Sequence, residues 1–227
     1  MEKINKNDFV EIEFTARDSN NNIFDTTNKE EAKQIGLQNP EFIKPLIVSV
    51  GNQMLLKGLD EELEGKELNK EYFINLSPEK AFGKRNPSLI KIYSLNHFTK
   101  QNINPHPGLT LQLDNVIARV ISVSGGRVTI DFNNPLAGKS ISYNFKITKK
   151  IEDDKEKINA LQDFFFRKRF QFNINNNSKK VIFKDEIPFL DILKDKFKEM
   201  SGFDFEVEKP TKKEKKEESK EIKEKTK

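Results

Sequence analysis

Hydrophobic and polar positions alternate with period two over much of this chain. Val10, Ile12 and Phe14 are separated by Glu11 and Glu13, the pattern of a strand with one buried face. Ser19 to Asn22 is turn-forming, and Ile23-Phe24-Asp25 opens a second strand. Residues 28–41 are polar and read as a loop with one helical turn near Glu30 to Lys33. Leu46 to Val50 alternates again and closes on Gly51-Asn52. The period then changes: Leu55, Leu56, Leu59 and Leu63 form a helical stripe, with Gly65 placed to end it. Tyr72 to Leu76 returns to strand. One short helix against an antiparallel sheet is the expected first unit.

Lys84-Arg85-Asn86-Pro87 interrupts this run. Beyond it, Leu89 to Tyr93, Leu109 to Leu113, Val116 to Val123 and Val128 to Phe132 read as a strand meander, with Gly125-Gly126 as a hairpin turn. Ile141 to Ile147 is a further strand. After Glu152-Asp153-Asp154, Ile158, Leu161, Phe164 and Phe165 mark a helix, and a hairpin is expected about Asn176-Asn177. Phe189, Ile192, Leu193 and Phe197 mark a second helix with Gly202 beyond its end, and Phe203 to Val207 a last strand. The fold class is therefore α+β. The expected units are residues 1–84 plus 132–151, an inserted small β unit at 85–131, a small α+β unit at 152–208, and a disordered Lys/Glu tail at 209–227.

Composition refines this picture. Charged residues make up 33% and hydrophobic residues 35% of 227 residues, lean for one massive core and suited to several small ones. Phe is over-represented, with 19 against 3 Tyr and no Trp, and supplies apolar area without a polar atom to satisfy. The net charge of +4 arises in the tail, where nine Lys face five Glu, leaving residues 1–208 formally neutral. A nucleic-acid-binding body carries its own basic face, so nucleic acid and ribosome are not the expected partners. The chain has no cysteine, hence no disulfide or thiolate chemistry. Its first residues lack the apolar segment of a secretory leader, and no stretch is long and apolar enough to cross a membrane. A cytoplasmic location is the expectation.

Ordinary catalytic apparatus is missing from the pattern. His97 and His106 have no ligand partner at metal spacing, and no nucleophile elbow, phosphate loop or zinc-protease motif occurs. No metal and no cofactor are expected. Phe14, Phe24, Asp25, Leu55, Leu56, Leu59, Phe82 and Tyr143 stand out; read alone, they also fit the core of a small barrel.

The segments Val10 to Thr15, Phe24 to Thr27, Val50 to Asp60, Pro78 to Gly83 and Asn134 to Lys139 resemble, in order and spacing, the successive signatures of FKBP-type peptidyl-prolyl cis-trans isomerases. The insert before Tyr143 resembles the insert-in-flap domain of the SlyD-like branch, and the unit after residue 152 makes the chain similar to the long archaeal form. The resemblance implies an antiparallel half-barrel wrapped on one short helix. It implies isomerisation of X–Pro bonds in unfolded or partly folded chains, assisted by chaperone binding on the insert. Phe24, Leu46, Leu55, Leu56, Leu59, Phe82 and Tyr143 would line the groove for the substrate proline, with Phe14 on its wall. Asp25 would be its lone carboxylate, and the Leu56 N–H would donate to a substrate carbonyl. The insert's Leu89, Ile90, Ile92, Leu95, Phe98, Leu109, Leu111, Val116 and Ile117 would offer an open apolar surface.

Departures from the family pattern matter too. Phe82 stands where many members have Tyr, Leu59 replaces a Trp, and Asn134 stands where a His is common. They point to weaker catalysis, with an inactive holdase as the alternative. The tail lacks the His/Cys-rich metal extension of some relatives. The 152–208 unit is a candidate homodimer surface.

Overall fold

A computed structural model describes residues 3–113 and 116–208; the expected 209–227 tail lies outside them. The central sheet has five strands: β1 (Phe9–Asp18), β2 (Ile23–Thr26), β3 (Leu46–Ser49), β4 (Glu71–Leu76) and β9 (Ile141–Ile151). All its pairings are antiparallel, in the order β2-β1-β9-β4. One edge of β1 is shared: Phe9 to Ile12 pair with β3, then Thr15 to Arg17 with β2. This division and the bulges at Glu11/Ile12 and Ala16/Arg17 curl the sheet. The register sets Ala16 and Ile74 on either side of Tyr143, and Phe14 beside Phe145.

Helix α1 (Lys29–Gln34) is capped by Asn28, whose side chain accepts from the Glu30 and Glu31 N–H groups. Glu31 ties it to the sheet through Thr15, Thr26 and Arg17. Helix α2 (Lys57–Leu63) buries Leu59 and Leu63 in the curl of the sheet. It comes so close to β4 that a Cβ on Gly58 would meet Leu76 Cδ2 and the Lys80 carbonyl oxygen at 2.7 Å each. The helix begins later than the leucine stripe predicts. Leu56 is its N-cap at φ −55°, ψ 136°, so Leu55 and Leu56 lie in the approach segment.

The second sheet, β5 (Ile90–Ser94), β6 (Thr110–Leu113), β7 (Val116–Ser124) and β8 (Arg127–Asp131), runs β5-β8-β7-β6. Between its first two strands lies α3 (Leu95–Thr99), which the sequence pattern did not reveal because only Phe98 is buried. The sheet has its own core of Phe98, Leu111, Ala118, Val120, Val128 and Ile130. The nine apolar residues expected on its open surface therefore divide. Phe98 and Leu111 are buried, Ile90, Leu95 and Leu109 are half-buried, and Leu89, Ile92, Val116 and Ile117 are exposed.

The third unit packs α4 (Asp154–Phe165) and α5 (Leu190–Ser201) on the sheet β10 (Phe172–Asn175), β11 (Lys180–Phe183), β12 (Asp204–Val207). β10 and β11 form the expected hairpin, and β12 adds in parallel. Its buried Leu161, Phe197 and Phe205 join the core of the five-stranded sheet in one cluster. Phe189 and Ile192 do not face this core: they are 75% and 77% exposed, and Leu190, Phe197 and Met200 are buried instead. Among the described residues no helix is long and apolar enough to cross a membrane.

Candidate active site

A cavity of about 870 Å³ is lined by residues of β1, β2, β3, α2 and β9. All nine residues singled out from the sequence line it: Phe14, Phe24, Asp25, Leu46, Leu55, Leu56, Leu59, Phe82 and Tyr143. Phe14 and Tyr143 come from the paired strands β1 and β9, Phe24 and Asp25 from β2, and Leu59 from α2. Phe82 follows the short 3₁₀ turn Pro78–Lys80. The rings meet edge to face: Phe14–Tyr143 at 5.5 Å, Phe24–Phe82 at 5.8 Å and Phe24–Tyr143 at 6.4 Å between centroids. Such pairs hold rings more firmly than burial alone. Leu46 stands at the rim, 40% exposed.

The segment leading into Leu55-Leu56 is pinned from α2. The buried Asp60 carboxylate accepts the Gly51 N–H at 2.9 Å and the Gln53 N–H at 2.7 Å. The Met54 sulfur accepts from the Ser49 N–H. Among the described residues the Leu56 N–H enters no backbone hydrogen bond, which leaves it able to donate to a bound chain. Asp60 and Met54 were not singled out from the sequence. An aspartate one residue from the buried Leu59 was the signal available for Asp60.

Asp25 and Tyr143 are the polar groups beside the rings; Glu11, Glu156 and Asp163 line the cavity too, so Asp25 is not the lone carboxylate that the resemblance implies. Asp25 is exposed as a residue, yet its carboxyl is partly desolvated at the cavity wall. That desolvation pushes its pKa above the ordinary value, against the opposing Thr26 N–H. Burial first, and the nearby Asp25 charge second, push the Tyr143 phenol well above its ordinary value, so it stays protonated. Tyr143 is only 3% exposed and its hydroxyl has no hydrogen-bond partner among the described residues. No fully buried side-chain polar atom among those residues lacks a partner, so this hydroxyl has open space before it, on the cavity side. Among the described residues no group of three or more His, Cys, Asp or Glu could hold a metal ion.

The cavity also has a wall the sequence did not disclose. Glu156, Asn159, Ala160, Asp163 and Phe164 of α4, with Arg167 beyond its end, also line the cavity. Their spacing of three and four residues is that of one helix face.

A ring-lined slot with the Asp25 carboxylate, a free hydroxyl and a free backbone donor beside it is built to hold a small apolar ring beside an amide. It contains no arrangement for nucleophilic attack. The family comparisons agree with this class. The family described as FKBP-type peptidyl-prolyl cis-trans isomerase matches residues 1–99, and the FKBP26, IF domain family matches residues 91–136. Over 145 residues the chain is 30% identical to the short-type peptidyl-prolyl cis-trans isomerase of Methanocaldococcus jannaschii, covering 63% of this chain and 92% of that protein. It is 26% identical over 154 residues to the FKBP-type 16 kDa peptidyl-prolyl cis-trans isomerase of Escherichia coli, covering 64% and 93%. It is 27% identical over 140 residues to the FKBP-type peptidyl-prolyl cis-trans isomerase SlyD of Aeromonas hydrophila, covering 61% of this chain and 60% of that relative's length. The chain belongs to the FKBP-type peptidyl-prolyl cis-trans isomerase family, and its relatives include members of the SlyD branch.

Proposed function

We propose that the cavity takes the proline of X–Pro segments in unfolded or partly folded polypeptides and speeds their cis/trans exchange. The convergence of Phe24, Leu56, Phe82 and Tyr143 on one apolar slot carries this reading. The barrier to rotation is roughly 18–20 kcal/mol and arises from amide resonance. Twisting the bond removes that resonance and the charge separation that goes with it. A dry, apolar slot disfavours the polar planar amide more than the twisted one, and that difference is catalysis. The Leu56 N–H holds the chain in register. The Tyr143 hydroxyl donates to a substrate oxygen, the part Phe82 lacks a hydroxyl to play.

Units 1–84 plus 132–151, 85–131 and 152–208 serve here as isomerase, client-binding insert and C-terminal unit, in a cytoplasmic protein. The exposed Leu89, Ile92, Val116 and Ile117 support client binding on the insert. The exposed Phe189 and Ile192 on and beside α5 support a homodimer contact, which sedimentation of the full chain with Ile192→Asp tests. The isomerase reading is tested by refolding a proline-limited protein with catalytic amounts of the chain. The slow phase should accelerate, and Leu56→Asp should abolish the effect while the chain stays folded. An unchanged slow phase with wild type, together with suppressed aggregation, leaves the holdase alternative, which Phe82 favours; a large gain on Phe82→Tyr would then identify the missing hydroxyl as its cause.

A further inference from the structure

The cavity is larger than its proposed ligand requires. Its volume of about 870 Å³ lies within the roughly 300–1,000 Å³ of pockets that enclose whole drug-sized ligands. A prolyl ring occupies a small part of it. The rings supply one part of its lining; β3 and one face of α4 supply another. Neither matched family extends past residue 136, so α4 belongs to neither.

Helix α4 is two-sided. Ile158 and Leu161 are fully buried in the shared core, while Asn159, Ala160, Asp163 and Phe164 face the cavity. The two carboxylates of this wall already have partners. Arg169 grips Asp163 through two bonds, at 2.8 and 2.6 Å, and Lys149 pairs with Glu156 at 3.2 Å. The apolar members do not all have such cover. Phe164 is half-buried, braced edge to face by Phe165 at 4.9 Å and overlain by the Arg167 guanidinium at 5.9 Å. Leu46, which also lines the cavity, keeps 40% of its surface open. A braced ring and an open leucine that line the same cavity as the proline slot fit an apolar side chain of the chain that carries the proline.

We infer that α4 and β3 form a second subsite, in which Phe164 and Leu46 take a large apolar, preferably aromatic, side chain two or more residues from the substrate proline. The substrate class is thereby narrowed to X–Pro segments with an apolar neighbour a few residues away. This rests on the isomerase reading, and the test separates the two.

The full chain is assayed without protease on a minimal Ala-Pro peptide and on a series that keeps Ala before the proline and carries one Phe at successive positions two or more residues away on either flank. Burial of roughly 60 Å² of ring surface corresponds to about a tenfold change in affinity. The expected result is a KM about tenfold lower for Phe at one flank position, with kcat little changed. Phe164→Ala should bring the ratio of the two peptides' kcat/KM toward one. A benzophenone residue at the favoured position should crosslink, in the wild-type chain, to the segment 159–167. Turnover of the minimal peptide with equal KM across the whole series overturns the subsite and leaves the isomerase reading standing. So does crosslinking confined to residues 90–131. No turnover of any peptide overturns the isomerase reading itself.

Discussion

The four-stranded unit at 90–131 keeps its core to itself, whereas the unit after residue 152 shares its core with the isomerase sheet. The first is joined through a polar neck. Asn133 exchanges hydrogen bonds with the Asn86 backbone at 2.8 and 3.0 Å, and Arg85 pairs with Asp131. The second is joined by buried side chains and gives the cavity its α4 wall. Polar attachment lets a unit open or turn at the cost of a few hydrogen bonds. Attachment through a common core makes two units one cooperative body. A client-binding arm and a fixed groove wall are what these two attachments suit.

The largest expected effect tests that contrast. Phe197→Ala removes a fully buried ring from the shared core and should cost about 3–5 kcal/mol, lowering the melting of the isomerase sheet with it. Phe98→Ala, equally buried in the insert, should leave the sheet's own transition in place. Calorimetry with hydrogen exchange distinguishes them, and a sheet transition that ignores Phe197→Ala breaks the comparison.

Next in size, Gly58→Ala places a methyl within 2.7 Å of Leu76 and of a backbone oxygen. It should cost roughly 1–3 kcal/mol, read from denaturant midpoints, without loosening the insert. Tyr143→Phe keeps the ring pairs and removes only the hydroxyl. Loss of one hydrogen bond of about 1 kcal/mol should lower kcat several-fold with KM nearly unchanged, and adding Phe82→Tyr should recover part of the loss. A rate that does not move would remove the hydroxyl from the mechanism.

The smallest effect is electrostatic. The folded-state pKa of Asp25 lies above its ordinary 3.8, so folding favours its protonated form. Its ionised carboxylate therefore costs stability as pH rises from about that value through the raised one, and costs nothing below it. Asp25→Asn should raise Tm at neutral pH and lose that advantage in acid. A gain that persists below both values would point away from desolvation.

Much of this was legible in the sequence, for a physical reason. Period-two alternation at Val10 to Phe14 and Tyr72 to Leu76 arises from one-sided burial, which a strand cannot hide. The five motif segments contain seven of the nine cavity residues singled out; Leu46 and Tyr143 lie outside them and came from the family resemblance. What escaped depends on tertiary contact. Leu55 and Leu56 fit a helical stripe, yet Asp60 ties down the backbone ahead of them and the helix starts at Lys57. Phe189 and Ile192 fit the apolar face of α5, yet Phe189 sits at the cap with φ 59° and both point outward. Ile158, Leu161, Phe164 and Phe165 mark α4 as a helix, yet only the fold shows that its face at Glu156, Asn159, Asp163 and Phe164 lines a cavity.

The central claim is that one dry slot binds proline and lets its amide twist. Exchange spectroscopy on a proline peptide with catalytic amounts of the full chain tests it most directly, with protein chemical shifts followed in the same sample. Accelerated cis/trans exchange, with shifts centred on Phe24, Leu56, Phe82 and Tyr143, is the predicted result. Unaccelerated exchange, with shifts confined to residues 90–131, would contradict it.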